Sequence, residues 1–273
     1  MDNITLENKQ CLIAGDGYLP IKMAQTAREN GFEVIAISLS SDNCKELQKY
    51  CSKVYSYSPG QVNSIKKVLI DEKIKQLTFL GKVSKTMLLK RPRLEPMAIE
   101  LLKQVPKLND DAIMLKIIEE MESVGITILD QTIFIKSLMV QKGVMTNKKP
   151  TDEQLTDIEY GYKTAKQMGQ LDIGQSVVMK DRMVLAVEAI EGTDKCIKRG
   201  GKLAKKKGGV VVKVAKPHQD KRFDIPAVGL RTLKTMKKYG LKALALESGE
   251  TIMVEANKMI DFANKHDMVI MAF

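Results

Sequence analysis

Residues 10–39 alternate between apolar runs and a helix-compatible stretch in an order that few architectures accommodate. Cys11-Leu12-Ile13-Ala14 is a continuous apolar run, Gly15-Asp16-Gly17-Tyr18-Leu19-Pro20 is a glycine turn, and helical spacing continues to about Asn30. Gly31 stops that helix, and Val34 to Leu39 is the next apolar run. Strand, turn, helix and strand in this sequence open a parallel βαβ unit, whose strands are buried on both faces and therefore show no polar alternation. The alternation continues through Lys53 to Tyr57 (strand), Val62 to Glu72 (helix, with Val62, Ile65 and Leu69 on one stripe) and Gln76 to Leu80 (strand). A helix from Asp110 to Val124 follows, with Ile113, Ile117 and Met121 on one face, and Ile126 to Leu129 closes the sheet. The first half is therefore expected to be α/β, a Rossmann-like parallel sheet over residues 1–139.

Two loops in this half fall where open α/β sheets bind ligands, at the carboxyl ends of strands. The Gly-x-Gly turn of Gly15, Asp16 and Gly17 lets backbone N–H groups approach an anion at a helix N-terminus. Gly81-Lys82-Val83-Ser84 follows the fourth strand. A standard dinucleotide site is disfavoured, because Pro20 stands where its third glycine would be and Ser40-Ser41 stand where a ribose-binding acid would be. Asn109-Asp110-Asp111 reads as a helix cap rather than as catalytic acids.

Val140 to Thr151 is polar, carries Gly and Pro and fits neither structural period, which makes residues 140–151 a linker and 152–273 a second domain. There the spacing predicts a helix from Asp152 to about Met168 burying Leu155, Ile158, Tyr162 and Ala165. A hairpin of Ser176 to Met179 and Val184 to Ile190 follows, then a helix opened by Thr193 as N-cap, and a strand from Val210 to Ala215. A helix from Pro226 to Tyr239, a second hairpin (Leu241 to Leu246 with Thr251 to Val254), a helix from Ala256 to His266 and a strand from Met268 to Phe273 complete a mixed α+β domain.

Charge is segregated along the chain. Between Lys195 and Lys242 sixteen Lys and Arg face two acids, Asp220 and Asp224, while the whole chain carries a formal +11. That stretch alone exceeds the total, so the remainder is slightly acidic. Concentrated basicity recruits an anion, and a carboxylate set within it is biased toward its ionised form. Asp224 is the candidate, with a surface acid balancing nearby lysines as the alternative. Glu188, Glu191 and Asp194 cluster near one strand end, Lys213 and Lys216 lie on the next strand, and Thr193 opens a helix whose N–H groups suit a phosphate. Together these supply what cleavage of a phosphoric anhydride needs: cations, a carboxylate and a divalent-metal option.

Other chemistries are poorly supplied. Cys11, Cys44, Cys51 and Cys196 lack C-x-x-C spacing and only His218 and His266 could join them, so packed thiols are expected rather than a zinc site. Two histidines outside any nucleophile motif argue against a Ser-His-Asp triad, with His218 read as a polar loop residue. The absence of Trp and a 5% aromatic content argue against nucleic acid as partner. No run approaches the roughly 20 apolar residues of a membrane span. The N-terminus lacks a signal-peptide pattern, and the chain reads as cytoplasmic.

Eight segments carry a family resemblance: Gly15-Asp16-Gly17-Tyr18-Leu19-Pro20, Gly81-Lys82-Val83-Ser84, Asp110-Asp111-Ala112, Leu171 to Gln175, Ala186 to Asp194, Lys213 to Pro217, Asp224-Ile225-Pro226 and Val228-Gly229. Spread over nearly the whole chain, they resemble the bacterial UDP-2,3-diacylglucosamine pyrophosphatases of lipid A biosynthesis, the metal-dependent type unrelated to calcineurin-like phosphoesterases. The resemblance implies magnesium-assisted (or other divalent-cation-assisted) hydrolysis of UDP-2,3-diacylglucosamine to UMP and 2,3-diacylglucosamine 1-phosphate. Asp224 matches the family's essential carboxylate, which would bind the metal or position water, and Thr193 matches a position near the sugar phosphate. Gln175, Gly15, Gly17 and Gly81 match residues lining the substrate site, and Asp194, Lys213 and Lys216 join them as substrate contacts. At Asp16 and Lys82 the chain departs from the glycine and asparagine that relatives often carry. An acylated nucleotide sugar is the implied partner, met at the inner face of an anionic membrane without spanning it, and a homo-oligomer is compatible. A non-catalytic nucleotide-sugar binding protein, or a hydrolase of another nucleotide sugar, fits the same residues.

Overall fold

Cys11, Leu12, Ile13 and Ala14 are all buried in the computed structural model, as a strand covered on both faces must be. The structure describes residues 5–83, 94–105 and 110–273. They fall into two units: the chain up to Lys136 together with Lys221–Phe223, and Ser137–Asp220 together with Asp224–Phe273.

The first unit is built on β1 (Lys9–Ala14), β2 (Glu33–Ser38), β3 (Lys53–Ser56), β4 (Gln76–Leu80) and β5 (Thr127–Ile128), in the order β3-β2-β1-β4-β5 and parallel throughout. The chain winds outward from β1 to β3, then crosses back to β4, so the order reverses between β1 and β4. Helices α1 (Tyr18–Glu29), α2 (Ser41–Leu47), α3 (Val62–Asp71), α4 (Pro96–Gln104) and α5 (Asp110–Glu122) cover the sheet. Cys11 and Ile13 pack with Val62, Ile65 and Leu69 of α3, Ala98 of α4 and Ile118 and Met121 of α5. Of the stripe expected on α5, Met121 is buried and Ile117 packs half-buried against the core, while Ile118 is buried beside them. The sequence reading had no counterpart for α2 and α4; each is shorter than three turns, too short to show a clear period. Phe223 packs against the same core, and Gln131 N donates to Lys221 O at 2.9 Å.

The second unit holds a six-stranded mixed sheet, with a two-stranded one beside it. Its strands are β6 (Gly143–Val144), β7 (Ser176–Lys180), β8 (Met183–Val187), β9 (Val210–Lys213), β10 (Ala227–Val228), β11 (Ala243–Leu246), β12 (Ile252–Met253) and β13 (Val269–Ala272). The large sheet runs β6-β13-β11-β9-β7-β8, with β13, β11 and β9 parallel and β6, β7 and β8 joined antiparallel. The β7–β8 hairpin carries an irregularity: pairing steps from Met179↔Val184 to Val178↔Ala186, which leaves Leu185 with no opposite residue. Helix α6 (Asp152–Gln170) packs on the face of Val177, Val210 and Val212. Helices α7 (Thr193–Leu203), α8 (Leu230–Lys238) and α9 (Ala256–Lys265) share the opposite core with Val178, Ala186, Val211 and Leu246.

Expectations for this half are corrected in several places. The segments 241–246 and 251–254 do not form a hairpin, because β11 is a buried central strand between β9 and β13 whereas β12 pairs in parallel with β10. The helix expected from Pro226 begins at Leu230, and Ala227–Val228 is strand, with Gly229 as N-cap in extended conformation. Leu155 is 42% exposed, while Ile158, Gly161, Ala165 and Met168 carry the buried face of α6. Within 140–151, expected to be a linker, Gly143–Val144 pair with β13.

Candidate functional site

In the first unit, the turn after β1 and the loop after β4 lie at the point where strand order reverses, the usual ligand crevice of an open α/β sheet. They are stitched together. Gly15 N donates to Leu80 O at 2.9 Å, Asp16 N to Lys82 O at 2.8 Å, and Lys82 N to Asp16 O at 2.9 Å. A Cβ on Gly15 would stand 2.7 Å from Lys82 O, and one on Gly81, whose φ is +99°, would stand 2.7 Å from Pro20 Cγ. Pro20 therefore fills the space against Gly81, which explains its place in the turn. Gly17, with φ +107°, is the N-cap of α1.

Asn43 holds this turn from α2: its buried amide donates to Gly15 O at 2.7 Å and to Gly17 O at 3.1 Å. No motif pointed to Asn43. The signal was a polar residue on a helix whose existence the sequence left unassigned. Ser40, at the tip of β2, caps that helix by accepting from Asp42 N at 3.2 Å. Asp16 Oδ1 is buried without a hydrogen-bond partner among the described residues. Lys82 is exposed, and Ser84 and Asn109 lie outside the described residues.

In the second unit, Glu188, Ser176 and Lys213 form a polar row at one end of three adjacent strands. Glu188 N donates to Ser176 O at 2.8 Å, and Ser176 is the register partner of Lys213. Side chains alternate along a strand, so these three share the face of Ala186, Val178 and Val211, two residues away on each strand and in the core under α7. All three are buried. Thr193 lies above the row as the first residue of α7. The N-cap is Gly192 rather than Thr193. Thr193 Oγ1 donates instead to Glu188 Oε1 at 2.8 Å and accepts from Lys213 Nζ at 3.1 Å. Gly174 lies so close that a Cβ there would stand 2.2 Å from Glu188 O. Gln175 Oε1, Ser176 Oγ and Glu188 Oε2 are buried with no hydrogen-bond partner among the described residues.

Beyond β9, the chain to Asp224 is held from several sides. Ala215 N donates to Glu247 Oε2 at 2.7 Å, and Lys166 Nζ bridges Glu247 Oε1 at 2.7 Å and Ala215 O at 2.9 Å. Lys216 Nζ lies 2.6 Å from Asp172 Oδ1 and 3.8 Å from Asp224 Oδ2. Asp224, about one-third exposed, also accepts from Gln219 Nε2 at 2.6 Å through Oδ2. Lys213, Thr193, Lys216 and Asp224 therefore lie on segments that leave the same end of the sheet, because β8 runs antiparallel to β7 and β7 antiparallel to β9.

Two of the acids grouped by sequence are occupied elsewhere. Asp194 is ion-paired with Arg231, Oδ2 lying 2.7 Å from Nε. Glu191 turns to the Ala189 N–H and to Arg199, and backbone N–H and Arg199 hydrogen bonds hold its carboxyl below the usual carboxylate range. His218 is an exposed loop residue. Cys196, beneath the row, is a buried thiol pushed up to about 12 by burial and then by the neighbouring Glu188. Among the described residues no three His, Cys, Asp or Glu side chains converge as a metal cage. A magnesium ion held by one or two carboxylates, waters and substrate phosphates is the form this donor set fits.

Two family models match the chain, one described as the LpxI N-terminal domain over residues 9–138 and one as the LpxI C-terminal domain over residues 141–271. A Caulobacter vibrioides protein described as UDP-2,3-diacylglucosamine pyrophosphatase LpxI is 30% identical over 268 residues, covering 93% of this chain and 93% of that protein.

Proposed function

This chain belongs to the LpxI family, and from that premise we propose that it hydrolyses UDP-2,3-diacylglucosamine to UMP and 2,3-diacylglucosamine 1-phosphate, a step of lipid A biosynthesis. The observation that carries the reading is the relationship, over 93% of both chains, to a pyrophosphatase of that name, joined to a carboxylate and two lysines at one sheet end.

In this reading Lys213, Lys216 and the N-terminus of α7 take the diphosphate oxygens, whose negative charge would otherwise repel a nucleophile. Asp224, aimed by Gln219 and Lys216, holds a water and receives its proton as the water oxygen bonds to phosphorus and the bridging P–O bond breaks. A divalent cation, when bound by Asp224 and the substrate phosphates, supplies further neutralisation of the diphosphate. The turn of Gly15, Asp16 and Gly17 and the loop of Gly81 and Lys82, whose backbone groups bond the two loops to each other, shape the β1–β4 crevice for the nucleotide, and Gln175 offers Oε1, which has no hydrogen-bond partner among the described residues.

The acyl chains of this substrate belong to a membrane, and no helix among the described residues is long and apolar enough to cross one. Ile190 is 93% exposed and Leu171 72% exposed, on loops brought together by the Gly174–Glu188 contact, with Lys195 and Lys198 nearby on α7. That combination suits an anionic bilayer surface, at the cytoplasmic face. The deciding experiment incubates the purified chain with UDP-2,3-diacylglucosamine or UDP-N-acetylglucosamine, with and without magnesium. Release of UMP from the acylated substrate alone supports the reading. Tight binding of that substrate with no UMP released would make the chain a binding protein instead.

A further inference from the structure

We propose that Glu188 is a positioning residue that acts through Thr193 to aim the Lys213 ammonium at the diphosphate; this rests on the hydrolase reading above. A hydroxyl has one proton to donate. Thr193 gives its proton to Glu188 Oε1 at 2.8 Å, so the oxygen turns a lone pair to Lys213 Nζ at 3.1 Å. The Thr193 side chain is thereby an acceptor for lysine and not a donor to phosphate, which changes the role its position suggested. Lys213 is 5% exposed, and a cation so buried requires both acceptors and a nearby negative charge. Glu188 supplies that charge one hydroxyl away.

The second observation is the cost of the arrangement. Glu188 is 8% exposed, and its Oε2 has no hydrogen-bond partner among the described residues. A neutral glutamine would occupy the same volume and accept the same bond from Thr193 without burying a charge, and stability alone favours it. A carboxylate here is explained by what its charge does for the lysine at the sheet end. The series Glu188–Thr193–Lys213 joins β8, α7 and β9, so it also fixes the helix N-terminus over the strand ends.

The test measures kcat and KM of the full chain with UDP-2,3-diacylglucosamine and magnesium, alongside circular dichroism and thermal midpoints, for Glu188→Gln, Glu188→Ala, Thr193→Val and the double variant Glu188→Gln/Thr193→Val. Glu188→Gln is expected to fold, to keep KM within about twofold and to lower kcat roughly tenfold, the scale seen when a residue that orients a reacting group is changed. Because the two residues act in series, the double variant loses about as much as the worse single one. A folded Glu188→Gln with wild-type kcat overturns the inference, as do losses that multiply in the double variant, or a lowered midpoint with unchanged kcat and KM. Glu188→Gln decides the question if Glu188→Ala does not fold. A wild-type chain that releases no UMP sinks the hydrolase reading itself and this inference with it, an outcome distinct from an active wild type with an indifferent Glu188 variant.

Discussion

The Gln219 side-chain amide is locked onto Asp224, donating from Nε2 to Oδ2 at 2.6 Å and to the same residue's backbone carbonyl, while its Oε1 accepts from Lys216 N at 2.8 Å. One amide thus ties both ends of the loop from Lys216 to Asp224 and sets the direction of the carboxylate. Asp224→Ala is expected to keep the fold and substrate affinity while kcat falls roughly 10³-fold, within the range for loss of a general base. Gln219→Ala leaves the carboxylate in place but unaimed, and a loss of about tenfold is expected. Steady-state kinetics beside equilibrium substrate binding checks both, and near-normal turnover by folded Asp224→Ala would remove that residue from the mechanism.

The stitched turn of the first unit predicts intolerance of single methyl groups. Gly15→Ala and Gly81→Ala each place a carbon within 2.7 Å of a neighbour, and the latter also forces φ +99° on an alanine. Each is expected to cost about 2 kcal/mol in urea unfolding. Wild-type midpoints for both would show the two loops to be loosely joined.

Glu247 has no role in the proposed chemistry, yet it satisfies Ala215 N and Lys166 together, with its side chain 14% exposed. Glu247→Ala leaves Ala215 N without its acceptor and Lys166 without its counter-charge, with only Ala215 O still bonded to it, and a loss of about 2 kcal/mol is expected, less than for a wholly buried pair. Adding Lys166→Met recovers part of it, because the stranded cation is removed. A double variant less stable than the single one would contradict this account.

Acid sensitivity is predicted at the edge of the first sheet. Hydrogen bonds from Lys53 and Tyr55 hold the Glu72 carboxyl below the usual carboxylate range. A depressed folded-state value means the unfolded chain binds the proton first, so the stabilisation is full above an ordinary carboxylate value of about 4.3 and is lost as pH falls through the folded one. The stability gap between wild type and Glu72→Gln should therefore be constant from pH 6 to 8 and close below about pH 4. A gap unchanged into acid would mean that the charge contributes nothing.

What could be read from sequence follows from the range of each interaction. The central strands of the first unit announce themselves, because Cys11–Ala14 and Val34–Ile37 are continuous apolar runs, with Gly15 after the first and Gly31 shortly before the second. The segment 241–254 misled for the opposite reason: Glu247-Ser248-Gly249-Glu250 is sound turn chemistry between two apolar runs, and only long-range pairing tells that β11 and β12 join different sheets. At the site, the charge run exposed Asp224, Lys213 and Lys216 as candidates, since like charges cluster in sequence as well as in space. Asn43 under the glycine turn and the Glu188–Thr193 bond were not legible as such, because each depends on which side chain a fold turns toward another element. Thr193 looked like a helix cap for lack of any local sign that its hydroxyl was engaged elsewhere.

Leu185 is a spacer whose effect is felt three residues downstream. Counting back from the tight turn, where Lys180 faces Met183 and Met179 faces Val184, an uninterrupted ladder would bring Val187 opposite Ser176. The extra residue advances the phase of β8 by one, and in a period-two structure one step exchanges the two faces. Glu188 thus meets Thr193 because Leu185 is left unpaired, and a strand that paired Leu185 in register would offer that threonine a valine.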